Sequence, residues 1–180
     1  AVGTAAQVTV PRDAQVIDLR GHTLMPGFID AHTHLGSDLG PGWVSRGVRW
    51  TDIDYALLGV RHARATLASG FTTVRDVGSS GFYDVALMRA IERGDFPGPR
   101  IVPAGHGIGA TAGHCDSTGY APGILEGGPE QGVADGPDQI VKAVRYQVKH
   151  GAKVIKICAT AGVMSYERPV AAQQYSMEEL

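Results

Sequence analysis

The sequence predicts an α/β fold in which strands and helices alternate around a parallel sheet. Three helical patterns each end at a glycine that precedes a β-prone run, and the glycines are Gly70, Gly94 and Gly151. Strict alternation of this kind indicates parallel strands with right-handed crossover connections. Two architectures fit the pattern. A doubly wound sheet is complete at this length, whereas a (β/α)8 barrel typically needs about 250 residues and would be only half present.

The predicted elements of the alternating region are bounded by caps and turn residues. The strands are expected at residues 28–32, 71–77, 100–104 and 153–159, and the helices at 51–69, 82–93 and 137–151. Thr51 and Asp54 form a capping box, and Pro137 suits the first turn of its helix. A second capping box, Ser176 and Glu179, predicts that a fourth helix begins at the end of the chain. We therefore expect the domain to continue past Leu180.

Apolar residues at helical spacing predict the buried face of each helix. They are Ile53, Leu57, Val60 and Leu67 in the first helix, Val85, Met88 and Ile91 in the second, and Ile140, Val141, Val144 and Val148 in the third. Ahead of the alternating region, residues 8–10 and 16–19 are short β-prone runs. They predict a hairpin or part of a small sheet.

The composition excludes several classes of protein. With 43% hydrophobic residues, 19% charged residues and a net charge of −2, the chain is neither disordered nor basic enough to predict a nucleic-acid partner. No apolar run approaches the roughly 18 residues that span a membrane. Two cysteines make no disulfide framework, so we expect Cys115 to be a loop thiol and Cys158 to be buried in a strand. No targeting signal is visible, which leaves a cytoplasmic location as the default and periplasmic or secreted ones open.

The strongest chemical signal is the sequence Asp30-Ala-His32-Thr-His34 at the end of the first predicted strand. Alternate residues of a strand point to the same side, so the two histidines share one face. Two imidazoles at the carboxyl end of a strand can bind one divalent metal. The alternative is that they are two unrelated polar residues at a strand-to-loop junction.

A second signal is Lys156, which stands inside an apolar strand pattern where an unpaired charge is costly. Three interpretations fit it. Its ammonium could extend to the rim of the strand, the amine could act as a Schiff-base nucleophile, or carbon dioxide could convert it to a carbamate that bridges two metals.

The third signal is a glycine-rich loop at residues 105–136 that carries His106 and His114. A loop of this length in a compact domain is typical of a functional segment, although each histidine could equally be a solvated loop residue. Arg75 and Asp76 close the second strand, as an ion pair or as support for a site. Ser79 and Ser80 are expected to cap the second helix rather than to act as nucleophiles.

Five stretches together resemble the metal-dependent amidohydrolase superfamily, and within it the imidazolonepropionase-like and Xaa-Pro or Xaa-Arg dipeptidase branch. They cover residues 16–34, 70–76, 112–116, 151–157 and 161–164, and they occur in the order that the family has. The resemblance implies a (β/α)8 TIM-type barrel with a small β-sandwich built from both chain ends. Residues 1–24 would then belong to the sandwich and residues 25–180 to the first four βα units of the barrel.

The resemblance also implies a set of site residues. His32 and His34 would bind one of two divalent metal ions, zinc by default, and Lys156 would bridge both ions as a carbamylated lysine. His114 matches a loop histidine that is associated with substrate binding. The remaining metal ligands and the general-base aspartate of the family would lie beyond residue 180. Ala112 and Cys115 stand where the branch often has glycine, which bears on the shape of this loop.

The function that the resemblance implies is hydrolysis of an amide bond in a small dipeptide or N-acyl amino acid, by a homo-oligomeric enzyme. Alternatives within enzymes are a cyclic-amide hydrolase of the imidazolonepropionase kind, an ochratoxin-type amide hydrolase and a Schiff-base enzyme that uses Lys156. An alternative of another class is a half-barrel without catalytic activity. An open sheet edge argues against that alternative.

Overall fold

The computed structural model describes residues 2–4, 6–163 and 169–180. Its core element is a three-stranded parallel sheet of β1 (Phe28–Thr33), β2 (Phe71–Asp76) and β3 (Arg100–Pro103), in the order β1-β2-β3. Thr33 pairs with Asp76, and Asp76 pairs with Pro103. The carboxyl ends of the three strands therefore lie along one edge. The predicted parallel sheet and its first three strands are confirmed.

Helices connect the strands as the alternating pattern predicts. They are α1 (Trp43–Arg46), α2 (Asp52–Ala68), α3 (Tyr83–Arg93) and α4 (Gly136–His150), with a 3-10 turn at Pro129–Gln131. The capping box of α2 is confirmed, since the Thr51 N–H donates to Asp54 Oδ2 over 2.8 Å. The short α1 and the 3-10 turn were not predicted, because one turn of helix carries no readable periodicity.

The predicted fourth strand, residues 153–159, is not a regular strand. This segment runs parallel to the end of β3 and to the residues after it. The Lys153 N–H donates to the carbonyl of Pro103, the last residue of β3, and Ile157 forms an isolated bridge with Ile108. Among the described residues no further strand pairs with its other side, so no ladder extends it. Its place beside β3 continues the sequential order expected of a barrel. A doubly wound sheet with the order 3-2-1-4 would instead put it next to β1.

Two other predictions concern the ends of the chain, and the first of them is wrong. No strand forms in the described residues before Phe28, and the apolar side chains there, such as Val16 and Ile17, are exposed. β-prone runs need a partner strand, and the described chain supplies none. At the other end, Ser176 and Glu179 make the predicted capping-box hydrogen bonds, and the Leu180 N–H donates to the Ser176 carbonyl over 3.3 Å, as in the first turn of a helix.

The hydrophobic core lies between the sheet and the helices. The α2–α3 cluster contains Leu35, Ala63, Val74, Val85, Leu87 and Ile101, and a second cluster under α4 contains Ile108, Ala134, Ile140, Ala143 and Tyr175. The predicted face of α3 is confirmed at Val85 and Met88.

The predicted faces of the other two helices are partly wrong. Ile53 and Leu57 of α2 are exposed, as are Val141 and Val148 of α4. The buried positions of α2 are instead Gly59 and Ala63. Small residues there let α2 approach α3 closely, because a Cβ at Gly59 would lie 2.5 Å from Leu87 Cδ1.

Two remarks complete the description of the chain. Within the described ranges, no helix has the length and apolar character needed to cross a membrane. Met164, the last residue of the motif at 161–164, lies outside the described residues. The small β-sandwich and the domain boundary near residue 24 stay predictions.

The close approach of α2 to α3 makes a first prediction. We expect Gly59→Val to lower the free energy of unfolding by about 1–3 kcal/mol, because the added methyl groups overlap Leu87. The measurement is thermal and denaturant unfolding of the purified protein. Ala65→Val, at an exposed position of the same helix, is the control for the helix propensity of valine. Equal losses in the two variants would contradict the packing argument.

Candidate functional site

A cavity of about 630 Å³ opens at the carboxyl edge of the sheet. It is lined by all four side chains that the sequence singled out for the site, which are His32, His34, His114 and Lys156. His106, Tyr55, Tyr83 and the cysteine pair line it as well. The carboxyl ends of parallel strands are where β/α barrels place their active sites, so this cavity is the candidate active site.

His32 lies near the end of β1, and His34 is the first residue after that strand. The ring centroids of His32 and His34 lie 5.5 Å apart with their planes at 70°. The Asp30 carboxylate holds this end of the strand, since its Oδ1 accepts the His32 N–H over 2.9 Å. Burial and the positive charge of Lys156 lower the pKa of His32. Its imidazole is therefore neutral near pH 7, which is the form that binds metal.

His34 is held by one specific hydrogen bond. Its Nδ1 lies 3.0 Å from the carbonyl oxygen of Gly78. A carbonyl accepts only, so Nδ1 carries the hydrogen and Nε2 is left with its lone pair. This is the arrangement in which metal-binding histidines are commonly oriented. Gly78 permits it, because a Cβ there would lie 3.3 Å from His34 Cε1.

Two buried carboxylates fasten the loops under the cavity. Asp76, at the end of β2, accepts the Leu35 N–H over 2.9 Å and the Gly78 N–H over 3.4 Å. Leu35 directly follows His34, and Gly78 holds the His34 ring. Asp76 is therefore a support for the site, as one of the two predictions had it. Arg75 does not pair with it and donates instead to the Ala31 carbonyl.

Asp84 is the second of these carboxylates, in the first turn of α3. It accepts the Ser79 hydroxyl over 2.7 Å and the Gly105 N–H over 2.8 Å. One side chain thus ties the loop after β2 to the loop after β3. Ser79 donates to Asp84 and makes no cap of its own. Sequence reasoning missed Asp84, because a single acidic residue in a first helical turn is common.

Lys156 reaches the cavity from the segment beside β3. Its carbonyl accepts the Ile108 N–H over 2.8 Å, which fixes its backbone against the loop after β3. Its side chain is half-buried, and its charge acts on His32. No group of three His, Cys, Asp or Glu side chains in the described ranges could hold a metal ion. Lys156 could add a ligand to the histidine pair only as an uncharged or carbamylated amine, because an ammonium group has no lone pair to donate.

The loop that carries His114 is closed by a disulfide, which corrects the prediction of a free thiol at Cys115. Cys115 is bonded to Cys158, and their Cα atoms lie 5.9 Å apart. The loop can fold back because a Cβ at Gly109 would lie 2.7 Å from Cys115 Cβ. Cys158 is buried, as predicted. The spacing of two distant cysteines gave no signal for this bond.

His114 directly precedes Cys115 of this disulfide and lines the cavity. Its backbone N–H donates to Gln174 Oε1 over 3.0 Å, and its ring covers Gly162 so closely that no side chain would fit there. Ala112 takes a positive φ of 61°. This left-handed conformation favours glycine, so Ala112 adopts it at a steric cost that glycine would not have.

Sequence comparison decides the family. The profile of the amidohydrolase family matches residues 23–180. The chain belongs to the amidohydrolase family. Its members are generally metal-dependent, and their fold is a TIM-barrel type of α/β structure, in agreement with the sequential parallel sheet.

Individual relatives indicate which members of the family this chain resembles in sequence and structure. An Aspergillus niger ochratoxinase is 34% identical over 173 residues, which are 87% of this chain and 35% of that protein. A Xaa-Pro dipeptidase solved with bound methionine in its active site is 38% identical, with a TM-score of 0.86 over 96% of this chain and 43% of that one. A prolidase complexed with N-methylphosphonate-L-proline is 36% identical, with a TM-score of 0.77 over 96% and 42%. The chain spans less than half the length of each.

The buried Asp76 makes a prediction about pH. Burial, together with the charge of Asp84, raises the pKa of Asp76 to about 7 despite the hydrogen bonds from Leu35 and Gly78. Between the usual value of about 3.9 and that value, the folded protein keeps a proton that the unfolded chain releases. The contribution of Asp76 to the free energy of unfolding therefore falls as pH rises from about 4 to about 7, by up to about 4 kcal/mol.

Asp76→Asn removes this titration while keeping an acceptor oxygen. We expect its stability to fall less steeply than that of the wild type between about pH 5 and pH 8. The measurement is denaturant unfolding with chelator present, so that metal binding adds nothing. Asp13→Asn, at an exposed turn residue, is the control. Parallel curves for Asp76→Asn and the wild type would show that Asp76 titrates normally.

Proposed function

We propose that this chain contributes half of the active site of a metal-dependent amide hydrolase that cleaves dipeptides. The observation that carries the proposal is the arrangement of His32, His34 and Lys156 around one cavity at the carboxyl edge of the sheet. The dipeptidase and prolidase neighbours, at 38% and 36% identity, support the choice of substrate.

The residues present fit a divalent metal centre. His34 offers Nε2 because Gly78 binds its Nδ1, and burial together with Lys156 keeps His32 neutral. Neutral imidazoles are common ligands of zinc, although ligand type alone does not fix the metal. When bound, two divalent ions would supply a water of lowered pKa and polarise the scissile carbonyl.

Lys156 is proposed to act as a carbamate. Its neutral amine attacks the carbon of carbon dioxide, an N–C bond forms, and one proton leaves to solvent. The product is a carboxylate-like group with two oxygens, which can bridge two cations. This change also removes the positive charge that the lysine would otherwise place beside His32.

Other residues of the chain position the substrate and the loops of the site, and enclose the cavity. His114, on the disulfide-closed loop, faces the same cavity and is proposed to bind the substrate. Asp76 and Asp84 hold the loops that carry these groups at fixed distances. Tyr55 and Tyr83 supply apolar wall that shields the site from water.

A second candidate function is hydrolysis of an N-acyl amino acid of the ochratoxin kind. The observation that favours it is the 34% identity to the Aspergillus niger ochratoxinase over 87% of this chain. Both candidates use the same site, so only the acyl side of the substrate separates them.

Metal analysis tests the proposed centre. We expect about two divalent ions per chain when the protein is purified without chelator and with bicarbonate present. His32→Asn and His34→Asn should each lose at least one ion, and Lys156→Arg should lose the shared site. The readout is plasma mass spectrometry, with His22→Asn, an exposed turn residue, as the control. Full metal content in all three variants would place the metal elsewhere.

An activity panel tests the proposed reaction. We expect release of free amino acid from Xaa-proline or Xaa-leucine dipeptides, abolished by chelator and restored by zinc. His34→Asn should reduce kcat/KM by at least about 1,000-fold, because metal-assisted water activation supplies several kcal/mol. Cleavage of aromatic N-acyl phenylalanine alone would select the second candidate. Imine trapping by borohydride at Lys156 would select the Schiff-base alternative.

A further inference from the structure

His106 is a histidine of the cavity to which the proposed reaction assigns no role. This histidine follows Gly105 in the loop after β3 and lines the cavity with His32, His34 and His114. It does not belong to the proposed metal site, and its sequence context left its role open. Its surroundings show that its ring is held in one position and one tautomer.

The tautomer of His106 follows from Gln147. The backbone N–H of His106 lies 2.9 Å from Gln147 Oε1, so that atom must be the amide oxygen. His106 Nδ1 lies 3.2 Å from the same oxygen and must therefore carry a hydrogen. The second ring nitrogen, Nε2, is left as an acceptor, and it makes no hydrogen bond to the described part of the chain. Burial lowers the pKa of His106, which keeps the ring neutral.

The position of the ring follows from Phe82. This residue adopts a left-handed conformation with φ 58°, which is costly for a bulky side chain. Its ring meets the His106 ring edge-to-face at 4.8 Å and stacks on His150 at 4.7 Å. Gly105 allows the close approach, because a Cβ there would lie 2.7 Å from Gln147 Oε1 and 2.8 Å from Phe82 Cε1.

The charges of the cavity indicate what this acceptor would meet. The ionisable acids among its lining residues are Asp116 and Glu126, and its one lysine is Lys156. Glu126 belongs to the same loop as Gly132, which lies against His106 Cβ. Apart from Lys156, which belongs to the proposed metal site, these lining residues include two acids and no lysine or arginine. An acceptor nitrogen in such surroundings suits an amine and disfavours a substrate carboxylate.

We propose that His106 is a specificity-determining residue that accepts a hydrogen bond from the free α-amino group of the substrate's acyl residue. The enzyme then prefers dipeptides over N-acyl amino acids. This inference rests on the proposed amide hydrolysis and sharpens it, since it chooses between the two candidate substrate classes. Gln147 and Phe82 act as positioning residues, because they fix the tautomer and the place of the ring.

The test uses substrate pairs that differ only in the amine. Glycyl-proline and acetyl-proline form one pair, and glycyl-leucine and acetyl-leucine form another. We expect the wild type to favour the glycyl member by about 10-fold or more in kcat/KM, because a hydrogen bond to a charged group is among the stronger ones. His106→Leu should lose that preference through the glycyl substrate alone. His106→Gln, which keeps an acceptor oxygen, should restore part of it.

Gln147→Leu is the positioning variant, and His22→Leu is the surface control. Gln147→Leu should weaken the glycyl preference, with a larger fall in kcat/KM for the glycyl than for the acetyl substrate. An equal loss for both substrates in His106→Leu would mean that His106 is merely structural, and an unchanged ratio would mean that it does not contact the amine. Either result overturns the inference.

Binding separates this inference from the proposed reaction. Calorimetry of chelator-treated protein with the same pairs needs no turnover. A glycyl preference in binding that His106→Leu removes would sustain the amine subsite even where no amide is hydrolysed. Hydrolysis of the acetyl members at the same rate as the glycyl members would sustain the reaction and overturn the subsite.

Discussion

Two buried carboxylates hold the site of this protein together. Asp76 accepts the backbone N–H of Leu35, which follows His34, and that of Gly78, whose carbonyl binds the His34 ring. Asp84 accepts hydrogen bonds from the loop after β2 and from the loop after β3. Burying a carboxyl group is costly, and each of these side chains receives at least two hydrogen bonds that offset part of that cost. The loops at the carboxyl edge are therefore fastened to one another as well as to their strands.

This fastening explains why the cavity can be polar and still ordered. The parallel register places Thr33, Asp76 and Pro103 at one level, so the loops begin together. His34 is then oriented by a carbonyl and His106 by an amide, in both cases through Nδ1. The same device thus presents two Nε2 atoms to one cavity. We infer that one serves the metal and the other the substrate amine.

The sequence was a good guide to elements with strong local signals. Caps and glycine stops located α2, α3 and α4, and alternation located the histidine pair on one face. It was a poor guide where the outcome depends on distant partners. The fully buried positions of α2 are Gly59 and Ala63, because the close approach of α3 selects small residues that a hydrophobic pattern overlooks.

The same reason limited what could be predicted of the site. The Cys115–Cys158 bond joins residues 43 positions apart, and Asp84 and Gln147 act on loops 21 and 41 residues away. Neither spacing nor periodicity encodes such contacts. The strands predicted before residue 24 failed for a related reason, since a β-prone run forms a strand only where a partner edge is present.

Anomalous X-ray scattering at the zinc edge, from crystals grown with zinc and bicarbonate, would test the central claim most directly. The account predicts anomalous peaks bonded to Nε2 of His34 and to a ring nitrogen of His32, with a carbamate on Lys156 beside them. A peak bonded to Nε2 of His106, or an unmodified Lys156 amine turned away from the metal, would contradict it.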